Sequence, residues 1–249
     1  MLYGLIGYPL SHSFSQRYFT EKFANNGYFY KNFPLAHISE LHNLLAQEVD
    51  LQGFNVTIPY KEQILPFLDE MDAISTKTGA VNTVKVVRTG TKIRLKGYNT
   101  DVYGFSRSLE EWFASQKDDL PDRALVLGTG GAAKAVICAL SDCGISTGVV
   151  SRKEGKHIYK TYNSLTADDI ETHNLIINTT PLGMYPDIAR CPDIPYSYLT
   201  QKHYLYDLVY NPPETMFMNK GLENGAQVRN GERMLHLQAN RAWEIWGIF

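Results

Sequence analysis

Cysteine is scarce in this chain of 249 residues: only Cys138, Cys143 and Cys191 occur, an odd number with no CxxC spacing and no histidine at ligand spacing nearby. That argues against a disulfide framework and a zinc site, and predicts reduced thiols and no metal. Cys138, inside the apolar run AVICAL, reads as a small hydrophobe. Long hydrophobic runs are also missing. No stretch approaches the ~20 apolar residues of a membrane span, and the opening MLYGLIGYPLSHS has neither the basic start nor the long apolar centre of a secretory leader. A cytoplasmic protein without a membrane partner is expected. Nor does either sign of charge dominate. With 24 Lys and Arg against 26 Asp and Glu, the net charge of −2 offers no general field for nucleic acid or anionic lipid. The partner expected is a small molecule. The composition of disorder is absent too, since hydrophobic residues make up 44% and charged residues 20%.

What is present is a regular alternation of element types. The chain exceeds the usual size of one domain, and two domains are expected. MLYGLIG reads as a strand, followed by a proline turn at Tyr8 and Pro9 and a helix from Ser15 to Asn25. FYKNFPLA (strand), HISELHNLLAQEV (helix) and GFNVTIP (strand) follow, the helix carrying Ile38, Leu41, Leu44 and Leu45 on one face. Such alternation predicts an α/β fold with a mostly parallel sheet. AVNTVKVV and IRLKGYN, separated by RTGTK, read as a hairpin. Near Asp101 the character changes. A helix at FSRSLEEWFASQ and the polar KDDLPDR precede ALVLGTGGAAKAVICALSDCG, a buried strand entering a glycine turn and a helix of small residues. STGVVSRK, LIINTTPLGM and YLYDLVYNPP are further strand candidates, and ERMLHLQANRAWEIWGIF an amphipathic helix that returns to the first domain.

The turn Gly128-Thr129-Gly130-Gly131-Ala132-Ala133 lies between strand and helix, the context a dinucleotide-binding loop requires. Gly128 suits the tight turn and Gly130 a close approach of backbone to pyrophosphate; the start of the helix, with Gly131 and Ala132, offers free amides. Ala133 stands where the pattern has its third glycine, a small-residue variant. About 20 residues further on, an NAD site would carry an acid for the ribose hydroxyls. Here the chain reads Ser151-Arg152-Lys153. A guanidinium fork and a hydroxyl suit a 2′-phosphate, so NADP is the expected cofactor, with Ser151 and Arg152 in its site.

Three polar patches of the first domain stand out. Ser11-His12-Ser13-Phe14-Ser15 puts hydroxyls on a loop entering a helix, as an anion site or as a helix cap. Asn55-Val56-Thr57-Ile58-Pro59-Tyr60-Lys61 ends a strand in a proline turn and delivers a lysine at the sheet edge where α/β ligands gather. Gly79-Ala80-Val81-Asn82-Thr83 and Gly97-Tyr98-Asn99-Thr100-Asp101 read as amide-rich turns, the second ending in a carboxylate.

SHSFS, NVTIPYK, TGAVNT, GYNTD, GTGGAA, NTTPLGM and NGERML with Gln238 occur in that order along nearly the whole chain, and together they resemble the shikimate dehydrogenase family. The resemblance implies a substrate-binding catalytic domain, 1–101 completed by the C-terminal helix at 230–249, and a Rossmann-like NADP-binding domain, 102–229. It implies that Ser13 and Ser15 hold the shikimate carboxylate, that Thr57, Asn82, Asp101 and Gln238 bind ring hydroxyls, and that Lys61 and Asp101 form the catalytic pair. Asn178, Thr179 and Thr180 would line the cofactor side, Tyr210 the substrate side, and Gly231 the nicotinamide. The implied reaction is NADP-dependent interconversion of 3-dehydroshikimate and shikimate, on the way to chorismate and the aromatic amino acids. A quinate dehydrogenase preferring NAD, and a ligand-binding protein without catalysis, are the alternatives. Glu232-Arg233 after Gly231 departs from the family's Gly-rich or aromatic stretch. Monomer and homodimer both remain open.

Overall fold

The computed structural model describes residues 1–10, 14–24 and 27–248. Two compact units divide the chain: residues 1–100 with 239–249, and residues 101–238.

The first unit contains β1 (Leu2–Gly7), α1 (Phe14–Phe23), β2 (Phe29–Pro34), α2 (Leu41–Gln47), β3 (Leu51–Val56), α3 (Tyr60–Gln63), β4 (Glu70–Met71), α4 (Ala73–Thr78), β5 (Thr83–Thr89) and β6 (Lys92–Tyr98). Its sheet runs β2-β1-β3-β5-β6-β4. β2, β1 and β3 are parallel, whereas β5 is antiparallel to both β3 and β6, so the expected hairpin makes the sheet mixed. The crossovers through α1 and α2 go out to β2 and back to β3 on the other side of β1, which makes the gap between the ends of β1 and β3 a topological switch point. One face packs Leu41, Leu44 and Leu45 of α2 against Leu51, Phe54 and Val84; the other is aromatic, with Tyr3, Phe19, Phe23, Tyr30 and Trp246 clustered together.

The second unit contains α5 (Thr100–Gln116, entering from the first unit), β7 (Arg123–Leu127), α6 (Gly131–Asp142), β8 (Ser146–Ser151), β9 (Lys160–Thr161), α7 (Ala167–Glu171), β10 (Leu175–Asn178), β11 (Tyr204–Asp207), α8 (Met216–Glu223), β12 (Gln227–Arg229) and α9 (Glu232–Trp246). Its sheet, β12-β11-β10-β7-β8-β9, is wholly parallel. Counted from β7, that is the doubly wound order 6-5-4-1-2-3, with its switch point between β7 and β10. The strands are short apolar runs buried on both faces, as covered parallel sheets require; Leu125, Val126, Leu127, Ile176 and Ile177 are fully buried. On α6, Ala133, Ala135 and Ala139 face inward, and their small side chains let the helix lie close to the sheet.

Two boundaries differ from the sequence reading. α5 begins at Thr100, so Asp101 sits in the first turn of a helix and not in a loop that precedes it. α9 is shared: residues 232–238 fall in the second unit, and only the part from Ala239 joins the first, anchored by the Trp246 indole donating to the Val84 carbonyl at 3.0 Å.

A buried carboxylate pins the segment between β9 and α7. Asp169 accepts from Lys160 Nζ (2.6 Å), Tyr159 Oη (2.7 Å) and the amide and hydroxyl of Thr166 (both 2.7 Å). Burial pushes its pKa up, but these donors outweigh burial and hold it well below the usual carboxylate range. A depressed carboxyl stabilises the fold above its unfolded pKa of about 4 and loses that contribution as pH falls below it. Asp169→Asn is therefore expected to lower the urea midpoint at neutral pH and to flatten its fall between about pH 4 and 2. Parallel midpoint-against-pH curves for the two proteins would contradict this.

Candidate active site and nucleotide edge

In the first unit the polar segments at 55–61, 79–83 and 97–100 converge on the sheet edge at the switch point. The segments leaving β1 and β3 are stitched together, Thr57 N donating to Ile6 O at 2.9 Å and Tyr8 N to Ile58 O at 3.1 Å. Because β5 runs antiparallel to β3, its beginning lies at the same edge: Val56 N donates to Asn82 O (2.8 Å) and Val81 N to Lys61 O (2.8 Å). The end of β6 joins them through Asn82 N donating to Tyr98 O at 3.1 Å. Thr57, Lys61, Asn82 and Thr100 are thus gathered by main-chain geometry. Lys61 and Thr57 are half-buried, Asn82 and Thr100 buried.

A hydrogen-bonded relay underlies this edge. Ser15, half-buried on α1, bonds the Tyr30 hydroxyl, which donates to Asn55 Oδ1 at 2.7 Å. Asn55 Nδ2 donates to Thr83 Oγ1 (3.1 Å) and Asn82 O (3.3 Å). Asn82 in turn donates through Nδ2 to Thr100 Oγ1 (2.9 Å) and accepts through Oδ1 from Thr100 N (2.7 Å), which fixes its amide and caps α5. Burial raises the Tyr30 pKa well above its ordinary value, so the phenol remains a donor. Tyr30 was not singled out from sequence; a tyrosine in an aromatic strand has no local mark of a polar task. Ser13 lies outside the described residues. Asp101, buried, belongs to the second unit, as does Gln238, whose Nε2 donates to Leu235 O at 3.0 Å.

In the second unit the predicted nucleotide residues collect at the C-terminal ends of β7, β8 and β10. Gly128 has φ +116°, and a Cβ there would meet Thr179 Oγ1 at 2.7 Å, so this turn needs glycine. Thr179 closes on the same turn, its amide (3.0 Å) and hydroxyl (2.7 Å) both donating to Leu127 O. Gly130 is different: a Cβ on it would meet no atom within 4 Å, and it begins α6 without a side-chain cap. The amides of Gly131 and Ala132 at this helix start are left for an anion. Ser151 ends β8, half-buried, with Arg152 exposed beside it. An open glycine, an uncapped helix of twelve residues and a guanidinium at the end of the next strand fit a dinucleotide carrying an extra phosphate.

Asn178, Thr179 and Thr180 leave β10 across the switch point from Gly128. Asn178 Oδ1 accepts from the Thr180 amide (3.0 Å) and hydroxyl (2.7 Å). Gly231 is buried where two backbones meet, its absent Cβ leaving room for Leu208 O. Tyr210 is half-buried beyond β11. The charge at Arg233 is tied down: its Nε and one terminal nitrogen make a forked pair with Glu111 at 2.6 and 2.9 Å, which holds the Glu111 carboxyl below its ordinary range. Among the described residues no helix is long and apolar enough to cross a membrane, and no group of three or more His, Cys, Asp or Glu side chains is placed to hold a metal.

Comparison with known proteins agrees with this geometry. Residues 5–84 match the family described as the shikimate dehydrogenase substrate binding domain. The NADP-dependent shikimate dehydrogenase of Carboxydothermus hydrogenoformans is 36% identical over 98% of this chain and 91% of its own length. That of Halothermothrix orenii is 37% identical over 98% of this chain and 89% of its own. Among solved structures, shikimate dehydrogenase 1 from Peptoclostridium difficile superposes with a TM-score of 0.83 at 37% identity, covering 99% of this chain and 91% of that one. Identity of this extent over nearly the full length, on a fold with both sheets, the glycine turn and the lysine-bearing edge, leads to one conclusion: the chain belongs to the shikimate dehydrogenase family.

Proposed function

We propose that this protein is a cytoplasmic oxidoreductase that reduces 3-dehydroshikimate to shikimate with NADPH, and reverses the reaction with NADP. The reading rests above all on one observation: a glycine turn at the switch point of a doubly wound sheet, followed at the end of the next strand by Ser151-Arg152 where an NAD site carries an acid.

Bound NADP would supply or accept the hydride at the ring carbon. The residues of this chain do the rest. Gly128, Gly130, Gly131 and Ala132 would cradle the pyrophosphate, Ser151 and Arg152 the 2′-phosphate, and Asn178, Thr179, Thr180 and Gly231 the remainder of the cofactor. On the substrate, Ser13 and Ser15 would hold the carboxylate, and Thr57, Asn82, Gln238 and Tyr210 would fix the ring. Lys61 and Asp101 are assigned the proton. As the carbonyl becomes a hydroxyl its oxygen gains a proton, and an ammonium beside it stabilises the developing alkoxide or delivers that proton.

Purified protein mixed with 3-dehydroshikimate and NADPH should consume the nicotinamide absorbance and release shikimate; no turnover would leave a ligand-binding protein as the reading. The cofactor assignment has its own test. A charged hydrogen bond is worth about 1.5–3 kcal/mol, and each ~1.4 kcal/mol is tenfold, so Arg152→Ala should raise KM for NADP about 10- to 100-fold and leave KM for NAD nearly unchanged. Equal changes for both cofactors would show that Arg152 does not meet the 2′-phosphate.

A further inference from the structure

Asp207 is a buried ionisable group to which the proposed chemistry gives no task. It ends β11, fully buried, and both of its oxygens are hydrogen-bonded. Oδ1 accepts from Asn178 Nδ2 (2.9 Å) and from Val209 N (3.0 Å), while Oδ2 accepts from Thr215 Oγ1 (2.6 Å). Placing a carboxylate here is costly: burial raises its pKa to about 6, against the three donors that pull it down. A neutral amide or an apolar side chain would fill β11 without that cost.

What the carboxylate does follows from donor arithmetic. An ionised carboxylate accepts and cannot donate, whereas the Asn178 side chain can present either its oxygen or its NH₂ group to a neighbour. Facing Asp207, Asn178 must turn its NH₂ inward, toward Asp207 and the Leu182 carbonyl (3.3 Å). Its oxygen is then left pointing at the Thr180 amide and hydroxyl, and Thr180 Oγ1 accepts from Leu182 N at 3.3 Å. The shape of the turn after β10 thus depends on which way one amide points, and Asp207, the nearer of its two acceptors, sets it together with the Leu182 carbonyl. The same turn supplies Thr179, which packs on Gly128 and bonds Leu127 O.

We infer that Asp207 is a positioning residue for the cofactor: through the orientation of the Asn178 amide it holds the Asn178–Thr180 turn and the glycine turn beside it in the form that binds NADP. This rests on the functional reading above. The groups facing Asp207 are Thr215 on α8, Asn178 on β10, the Val209 amide, and Tyr196 from the turn at 196–198. Tyr196 is the titratable one; burial, with Cys191 beside it, keeps its hydroxyl protonated, and that hydroxyl donates to Pro192 O at 2.7 Å. Asp207 is therefore the member of this set that changes charge in the ordinary pH range. Below about pH 6 it gains a proton, can donate, and no longer dictates the amide.

Two variants test this by direct titration of NADP into the purified protein, with thermal unfolding alongside. Asp207→Asn keeps the volume, removes the buried charge and can donate as well as accept. It is expected to unfold at or above the wild-type temperature at pH 8, yet to bind NADP about tenfold more weakly, with KM for shikimate and kcat within about threefold. Wild-type affinity, relative to that of Asp207→Asn, should weaken as pH falls through about 6; the titration of the NADP phosphate is common to both and cancels in the ratio. Asp207→Ala should bind more weakly still. A variant pair that binds NADP as tightly as wild type, or loses affinity only in step with unfolding temperature, would overturn this inference alone. Failure of the wild-type chain to bind NADP would overturn it together with the functional reading.

Discussion

Lys61→Ala is expected to lower kcat for shikimate oxidation by about 10²- to 10⁴-fold, the range that a positioned acid-base group contributes, with unfolding temperature nearly unchanged. The separation of the two effects comes from how the fold uses this residue. α3 is a single turn, and Lys61 is tied into the sheet edge through its main-chain carbonyl, which accepts from Val81 N at 2.8 Å. Alanine keeps that carbonyl. What it deletes is the ammonium of a half-buried side chain on the sheet edge that also carries Thr57 and Asn82. Lys61→Arg should rescue little, because a guanidinium remains protonated at any working pH and its planar fork does not replace a compact ammonium. Steady-state kinetics with both variants decides the matter. A Lys61→Ala enzyme within threefold of wild type would remove Lys61 from the chemistry.

Gly231→Ala should cost about 3 kcal/mol, at the upper end of the usual overpacking range, which in a chain of this size lowers the unfolding temperature by roughly 6–12 °C. An added Cβ would lie against the Leu208 carbonyl, far inside contact distance, and the opposing atoms are backbone. Neither side can yield cheaply. Leu208 N donates to Asn178 O at 2.9 Å, so moving Leu208 pulls on the end of β10 and the turn that follows it. Gly231 N is bonded to Val209 O at 3.2 Å, and Gly231 O begins α9 by accepting from Leu235 N at 3.0 Å. Circular dichroism melting checks the prediction, and an unchanged melting temperature would show that the two backbones are free to part.

Much of this architecture was legible in short windows of sequence. The glycine turn announced itself because its context is local: an apolar strand before it and small residues after it, all within ALVLGTGGAAKAVICAL. The hairpin of β5 and β6 and the Lys61 turn were legible for the same reason. The elements that were misplaced depend on partners distant in the chain. Asn99-Thr100-Asp101 reads as a turn, yet α5 starts there, its Thr100 amide bonded by the side chain of Asn82, 18 residues earlier. Arg233, which departs from the family's stretch after Gly231, is held by Glu111, 122 residues away. Asp207 escaped notice because its meaning lies in Asn178, 29 residues before it, and Thr215, eight after. Its only local signal was an acid closing an otherwise apolar strand, YLYD.

Cofactor and substrate assignments meet in a single experiment, the initial rate of nicotinamide reduction by the purified wild-type protein with shikimate or quinate, each with NADP or NAD. The account predicts a kcat/KM for shikimate with NADP that exceeds that for shikimate with NAD by at least about tenfold, the worth of one charged contact to the 2′-phosphate, and that also exceeds quinate with either cofactor. A preference for quinate with NAD would contradict it, and would mean that Arg152 does not select the cofactor and that the edge carrying Thr57, Lys61 and Asn82 accepts a different ring acid.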